Sequence, residues 1–241
     1  MLKRWLLLIL SAGLTSPAAA QDPWTGVYVG IHAGYGHQDS RWTYQPAYTN
    51  PYSNTFAFGP TTVPSESFSA DGVFAGAQIG ANYRFGKLVP GLEISYSPSG
   101  GPSKNQPISP GAFNSPATTN LQNSFDGLVV VAGRLGYAVT DRWLVYAKGG
   151  YAAAKLDEKG TDTSLLNYSF DTGGWSNGWT AGAGAEYRLN DKLSIAVEYA
   201  HVGLEDQTRT GQITNLPNFP VVMRVGGEID AVTVRLNAKT F

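Results

Sequence analysis

Along most of the chain apolar residues recur at every second position, and no long segment shows the 3.6-residue spacing of an amphipathic helix. In residues 24–36 the odd positions are Thr25, Val27, Val29, Ile31, Ala33 and Tyr35, while the even ones are glycine apart from Trp24, Tyr28 and His32. Residues 71–85 repeat this with Val73, Ala75, Ala77, Ile79, Ala81, Tyr83 and Phe85 opposed by Gly72, Phe74, Gly76, Gln78, Gly80, Asn82 and Arg84. Strict alternation predicts strands with one apolar face. Six more follow at 88–97, 125–138, 143–153, 177–189, 193–202 and 229–241, giving eight.

The connections alternate sharply in length. Gly86-Lys87, residues 139–142 and Asn190-Asp191-Lys192 make short turns, whereas 37–70, 98–124, 154–176 and 203–228 are long, polar and hold 11 of the 14 prolines. Structureless loops of that size count against a compact soluble domain. Short turns on one side and long loops on the other fit an all-β, eight-stranded antiparallel up-and-down transmembrane barrel, with the short turns periplasmic and the long loops extracellular.

Charge sharpens the choice between a soluble sandwich and a barrel. Only 15% of the 241 residues are charged, against about 25% in soluble domains. Arg84, Glu93, Arg134, Lys148, Glu186, Glu198 and Arg235 share the glycine-bearing face of their strands. Inside a narrow closed barrel, small residues and mixed charges must share the space, so these seven are expected to form a charge network in the lumen. Eight strands enclose an interior just wide enough for side chains to fill. A formal charge of −1 gives no footprint for nucleic acid, and the absence of cysteine excludes disulfides and thiolate metal sites.

The first twenty residues read as an address. Lys3 and Arg4 precede an uncharged, mostly apolar run from Trp5 to Leu14, and Ala18-Ala19-Ala20 supplies small residues for a signal peptidase. Ten residues are too few to cross a bilayer as a helix, so residues 1–20 are expected to be a secretory signal cleaved between Ala20 and Gln21. Residues 21–241 then form a single barrel domain of formal charge −3.

Aromatic residues form two groups on the apolar face. Tyr83, Phe85, Tyr137, Trp143 and Tyr187 fall near the short turns; Tyr35, Tyr96, Phe125, Tyr151 and Tyr199 fall near the long loops. Two such belts are expected where a barrel meets the membrane interfaces. Trp24-Thr25-Gly26-Val27-Tyr28-Val29-Gly30, Gly133-Arg134-Leu135-Gly136-Tyr137 and Gly182-Ala183-Gly184-Ala185-Glu186-Tyr187 with Val197-Glu198-Tyr199 resemble the porin-like outer-membrane β-barrel family, which includes immunogenic surface barrels of Gram-negative bacteria. The resemblance implies residence in the cell outer membrane among lipid and lipopolysaccharide, and a terminal aromatic, Phe241, read by the barrel-assembly machinery. Lys239 departs from the apolar residue usual two places earlier.

Candidate chemistry is thin. His32 falls on the luminal face as a hydrogen-bonded filler, and His37 opens the first long loop with only Asp39 nearby. His201 falls on the lipid-facing parity near the outer rim, but Gly203 stands where a lipid A deacylase would place its serine. Residues 157–162 are acidic without the spacing of a calcium loop. The expectation is a non-enzymatic, surface-exposed barrel without cofactor or metal, its loops open to an unidentified extracellular ligand. A narrow passive channel is one alternative; haem capture by His37, Tyr44, Tyr48 and Tyr52 is another.

Overall fold

The computed structural model describes residues 22–45, 65–98, 103–108, 119–162, 169–213 and 216–240. Ala20, Gln21, Tyr48, Tyr52 and Phe241 lie outside them. The strands are β1 (Gly26–Gln45), β2 (Ser65–Asn82), β3 (Leu88–Pro98), β4 (Ser103–Ile108), β5 (Thr119–Ala138), β6 (Trp143–Asp162), β7 (Ser169–Arg188), β8 (Leu193–Ile213) and β9 (Leu216–Lys239). Sequential neighbours pair antiparallel, β4 continues the path of β3 along β5, and β1 pairs with β9 to close the ring. β3 and β4 together make one stave, so the wall has eight.

The short turns are set by local chemistry. Gly86, at φ 61°, takes the left-handed conformation that a side chain disfavours, and Phe85 bridges to Leu88 across it. In the other two turns one side chain caps two amides: Thr140 Oγ1 accepts from the Arg142 and Trp143 N–H groups, and Asn190 Oδ1 from those of Lys192 and Leu193.

Parity decides which side chains meet lipid. Val29, Ile31, Leu92 and Leu135 are exposed on the outer face, whereas Tyr28, His32, Glu93 and Arg134 one position away are buried inside. The aromatic residues Tyr83, Phe85, Tyr137 and Trp143 at one end, and Tyr35, Tyr96, Tyr151 and Tyr199 at the other, stand outward and exposed. Phe125 does not join them. A bulge between Phe125 and Gly127 shifts the register of β5 against β6, and a one-residue shift exchanges faces, so the ring turns inward and is buried.

The expected long loops are largely strand. β1, β2 and β5 to β9 run about ten residues past the outer aromatic belt, and Asp157-Glu158-Lys159-Gly160-Thr161-Asp162 extends β6, paired with β5 and β7, instead of forming a loop. A strand of 20 residues spans roughly 65 Å at about 3.3 Å per residue, well over the ~25 Å apolar band of such barrels. Above the belt neither face meets lipid, so alternation lapses while the hydrogen-bond ladder continues.

Candidate functional site: a layered lumen

The lumen is filled in layers. At the short-turn end, Trp24 packs with Val89, Ala138 and Leu144, and Lys239 Nζ donates to the Asp22 carbonyl at 2.9 Å, tying the segment before β1 to the last strand.

Above this lies the charge network. Arg235 pairs with Glu93, at 2.7 Å, and with Glu198; Lys148 pairs with Glu198 at 2.5 Å and with Glu93 at 3.4 Å; Arg134 pairs with Glu186. All six side chains are buried. Three cations face three carboxylates, which balances charge where desolvation makes an unpaired ion costly. Ser194 and Asn237 also donate to Glu186.

Arg84 does not join this network. Its guanidinium lies beside Asp141, at 3.0 Å, and Asp22, at 3.6 Å, next to the short turns. It stands two residues past Asn82, where the β1–β2 ladder ends; it keeps the inward parity between outward Tyr83 and Phe85, but at the short-turn rim, away from the level of Gly80 and Glu93. Since Asp141 is solvent-exposed, the expected cost of Arg84→Ala is under about 1 kcal/mol, measurable as a small shift in the urea midpoint of the refolded barrel.

Two tyrosines not anticipated as site residues complete the network. Tyr28 donates to Glu93 at 2.7 Å and Tyr146 to Glu198 at 2.9 Å. The Arg134 guanidinium lies 3.6 Å from the centre of the Tyr146 ring, close enough for cation–π attraction. Each tyrosine stands directly opposite a glycine on the next strand, Tyr28 against Gly80 and Tyr146 against Gly184, and its ring occupies the space a Cβ there would take. The sequence signal is a tyrosine on an otherwise small or charged face.

His32 is held in the same layer. Its Nδ1 lies 2.7 Å from Gln78 Oε1 and its Nε2 2.8 Å from Ser97 Oγ, so the network assigns the proton to Nδ1 and lets Nε2 accept from the serine hydroxyl. Above, the inward positions become apolar: Phe125, Val130, Ala152, Ala154, Leu156, Val202, Leu204 and Ile229 form a buried cluster.

His201 and His37 sit on the outer face just beyond the outer belt. His201 Nδ1 lies 2.9 Å from Asp230, and His37 Nδ1 lies 2.7 Å from Asp71, a carboxylate the sequence did not bring near it. In register the four residues form one row across β8, β9, β1 and β2. The hydrogen bond to Asp71 holds the His37 pKa above the usual histidine value, and hydrogen bonds from Tyr199 and His201 hold Asp230 below the usual carboxylate value. The row faces outward and is partly exposed. Among the described residues no group of three or more His, Asp or Glu side chains is arranged to hold a metal ion.

A closed antiparallel barrel with an apolar belt outside and paired charges inside defines an integral outer-membrane β-barrel protein. The chain belongs to the outer membrane protein β-barrel domain family, whose model matches residues 6–216. It is 32% identical over 190 residues to the 31 kDa outer-membrane immunogenic protein of Brucella melitensis, covering 75% of this chain and 71% of that protein, with the same figures for the Brucella suis protein. Its fold is similar to that of the outer membrane protein OprG from Pseudomonas aeruginosa, at TM-score 0.56 and 14% identity over 90% of this chain and 96% of that one. The outer membrane protease OmpT from Escherichia coli matches at TM-score 0.55 and 8% identity over 89% and 97%. The chain therefore resides in the cell outer membrane, in contact with its lipid.

Proposed function

We propose that the protein is a non-catalytic, surface-displayed barrel, closed to bulk solute flow, whose extracellular strand extensions and loops do the recognising. The observation that carries this reading is the buried network of Arg134, Lys148, Arg235, Glu93, Glu186 and Glu198, whose charges pair with one another across the lumen. A water-filled pore would leave such groups solvated; these are 3% to 9% exposed. The apolar cluster above and the Trp24 cluster below add two further layers to any axial path.

The extracellular side supports a recognition role by its extent. Strands continue far past the membrane band and present mixed polar residues such as Lys155, Asp157, Glu205 and Arg224. The similarity to an outer-membrane immunogenic protein agrees with a surface that other molecules meet. In this reading the signal is removed between Ala20 and Gln21, Phe241 serves as the assembly signal for the barrel-assembly machinery, and lipopolysaccharide surrounds the outer half.

The test is single-channel recording of the refolded barrel in planar bilayers. The expected result is a flat baseline at moderate voltage. Stable nanosiemens-scale steps would overturn the closed-lumen reading and favour a passive channel.

A further inference from the structure

Charge is sorted by height along the barrel. In the lumen three cations balance three carboxylates. At the short-turn end Arg84, Lys87, Arg142, Arg188, Lys192 and Lys239 stand with only Asp22, Asp141 and Asp191, an excess of three positive charges. A surface of one sign draws ligands of the other, so this end is suited to an anion.

Part of the excess converges on a cavity of about 40 Å³ in the rim. Pro23 and Trp24, ahead of β1, line one side; Arg188 and Lys192 of the β7–β8 turn line another, and Lys239 near the end of β9 a third. Arg188 uses two of its five N–H groups, donating to the Asp141 carbonyl at 2.9 Å and to Asp191 at 3.0 Å. Lys239 uses one of three, on the Asp22 carbonyl. Both keep donors to spare.

Trp24 adds an observation independent of charge. The side chain is 6% exposed, and its indole N–H finds no acceptor among the described residues. A buried donor without a partner is costly and uncommon. Glu186, at the inner end of the cavity, does not serve, because Arg134, Ser194 and Asn237 already hold it.

Size and hydrogen bonding select the anion. At roughly 10–15 Å³ for each water-sized group, the cavity takes about three, which matches the three heavy atoms of a carboxylate and falls short of a phosphate. A carboxylate accepts without donating. One oxygen can therefore take the indole N–H while the other meets Arg188 and Lys239, whose like charges repel one another.

We propose that the short-turn end of the barrel binds the free carboxylate of a peptide, seated in the rim cavity against Trp24, Arg188 and Lys239. The rest of the peptide lies outside the rim, in the periplasm that the short turns face. Lys239, which departs from the apolar residue usual at its position, gains a binding role. This inward-side anchor is independent of what the extracellular extensions recognise.

The experiment titrates the full, isotope-labelled barrel in nanodiscs with N-acetylalanine and follows amide and indole resonances. The Trp24 indole and Leu193 amide signals are expected to move and saturate together, while the indoles of Trp143, Trp175 and Trp179 stay in place. N-acetylalaninamide, which lacks the charge, is expected to move neither. Lys239→Met is expected to weaken binding about tenfold, the worth of a hydrogen bond to a charged group. Trp24→Phe, read at Leu193, weakens it as well, whereas Lys87→Met, on the rim but outside the cavity, changes it less than about twofold. Lys192→Met, on an exposed turn, replaces Lys239→Met should that variant not fold. An unmoved indole, equal binding of the neutral amide, or no loss from the lysine variant overturns the site. Equal losses from Lys87→Met and Lys239→Met also overturn it, since a diffuse basic surface would then suffice. Inorganic phosphate moving the indole as strongly as N-acetylalanine overturns the choice of a carboxylate.

Discussion

Glu93→Gln is expected to destabilise the barrel by about 3–5 kcal/mol, the range for removing one partner of a buried ion pair. Glu93 lies on β3 and holds groups from three other strands: Arg235 of β9 at 2.7 Å, Lys148 of β6 at 3.4 Å and the Tyr28 hydroxyl of β1 at 2.7 Å. The amide keeps the shape and loses the charge, leaving three cations against two carboxylates with almost no solvent access. Urea unfolding in lipid, followed by heat-modifiable gel migration, reads the loss directly. Adding Lys148→Met restores the balance at two against two and is expected to recover at least half of it, because the uncompensated charge, not the missing contact, dominates the penalty. Residues in one network do not contribute additively. A Glu93→Gln barrel within 1 kcal/mol of wild type would show that water reaches the network, and the closed lumen would fail with it.

The barrel wall was legible in the sequence because lipid outside and packed charge inside impose opposite demands on alternate residues. Val27, Val29 and Ile31 against Tyr28, Gly30 and His32 carry that contrast without interruption, and the same parity sets Arg134 and Glu186 on the inner face. Where the contrast fades, so does legibility. Asp157 to Asp162 are polar or glycine at every position, so nothing in their order distinguishes strand from loop, although the ladder continues through them. In Leu128-Val129-Val130-Val131-Ala132 both faces are apolar, one for lipid and one for the lumen cluster. Such a run conceals which face is which, and with it the apolar layer inside the barrel. Phe125 was misplaced by a bulge, which no residue pattern announces. Arg84 keeps the inward parity, but it stands at the short-turn rim beside Asp22 and Asp141, and parity alone does not give height along the barrel axis. The cross-strand Tyr–Gly pairs depend on register, which becomes visible only when the strands are side by side.

Those pairs support the second large effect. Gly184→Val is expected to cost about 3–5 kcal/mol, combining overpacking of 1–3 kcal/mol with loss of a hydrogen bond to a charged group, worth about 1.5–3 kcal/mol. A Cβ at Gly184 would stand 2.6 Å from Cζ and the hydroxyl oxygen of Tyr146, and 2.7 Å from the Val197 carbonyl oxygen. Moving the ring away breaks its donation to Glu198 and removes the face on which Arg134 rests. Gly80→Val is expected to act in the same way through Tyr28 and Glu93. The cause is separable by a double-mutant cycle. In a Tyr146→Ala background the ring is gone, and the cost of Gly184→Val should fall by at least half, the remainder being the approach to the Val197 carbonyl. A full cost retained in that background would assign the glycine to backbone packing between β7 and β8. The expected sub-additivity would instead assign it to the space the tyrosine needs to reach its carboxylate, making the glycines of the inner face part of the network that fills the lumen.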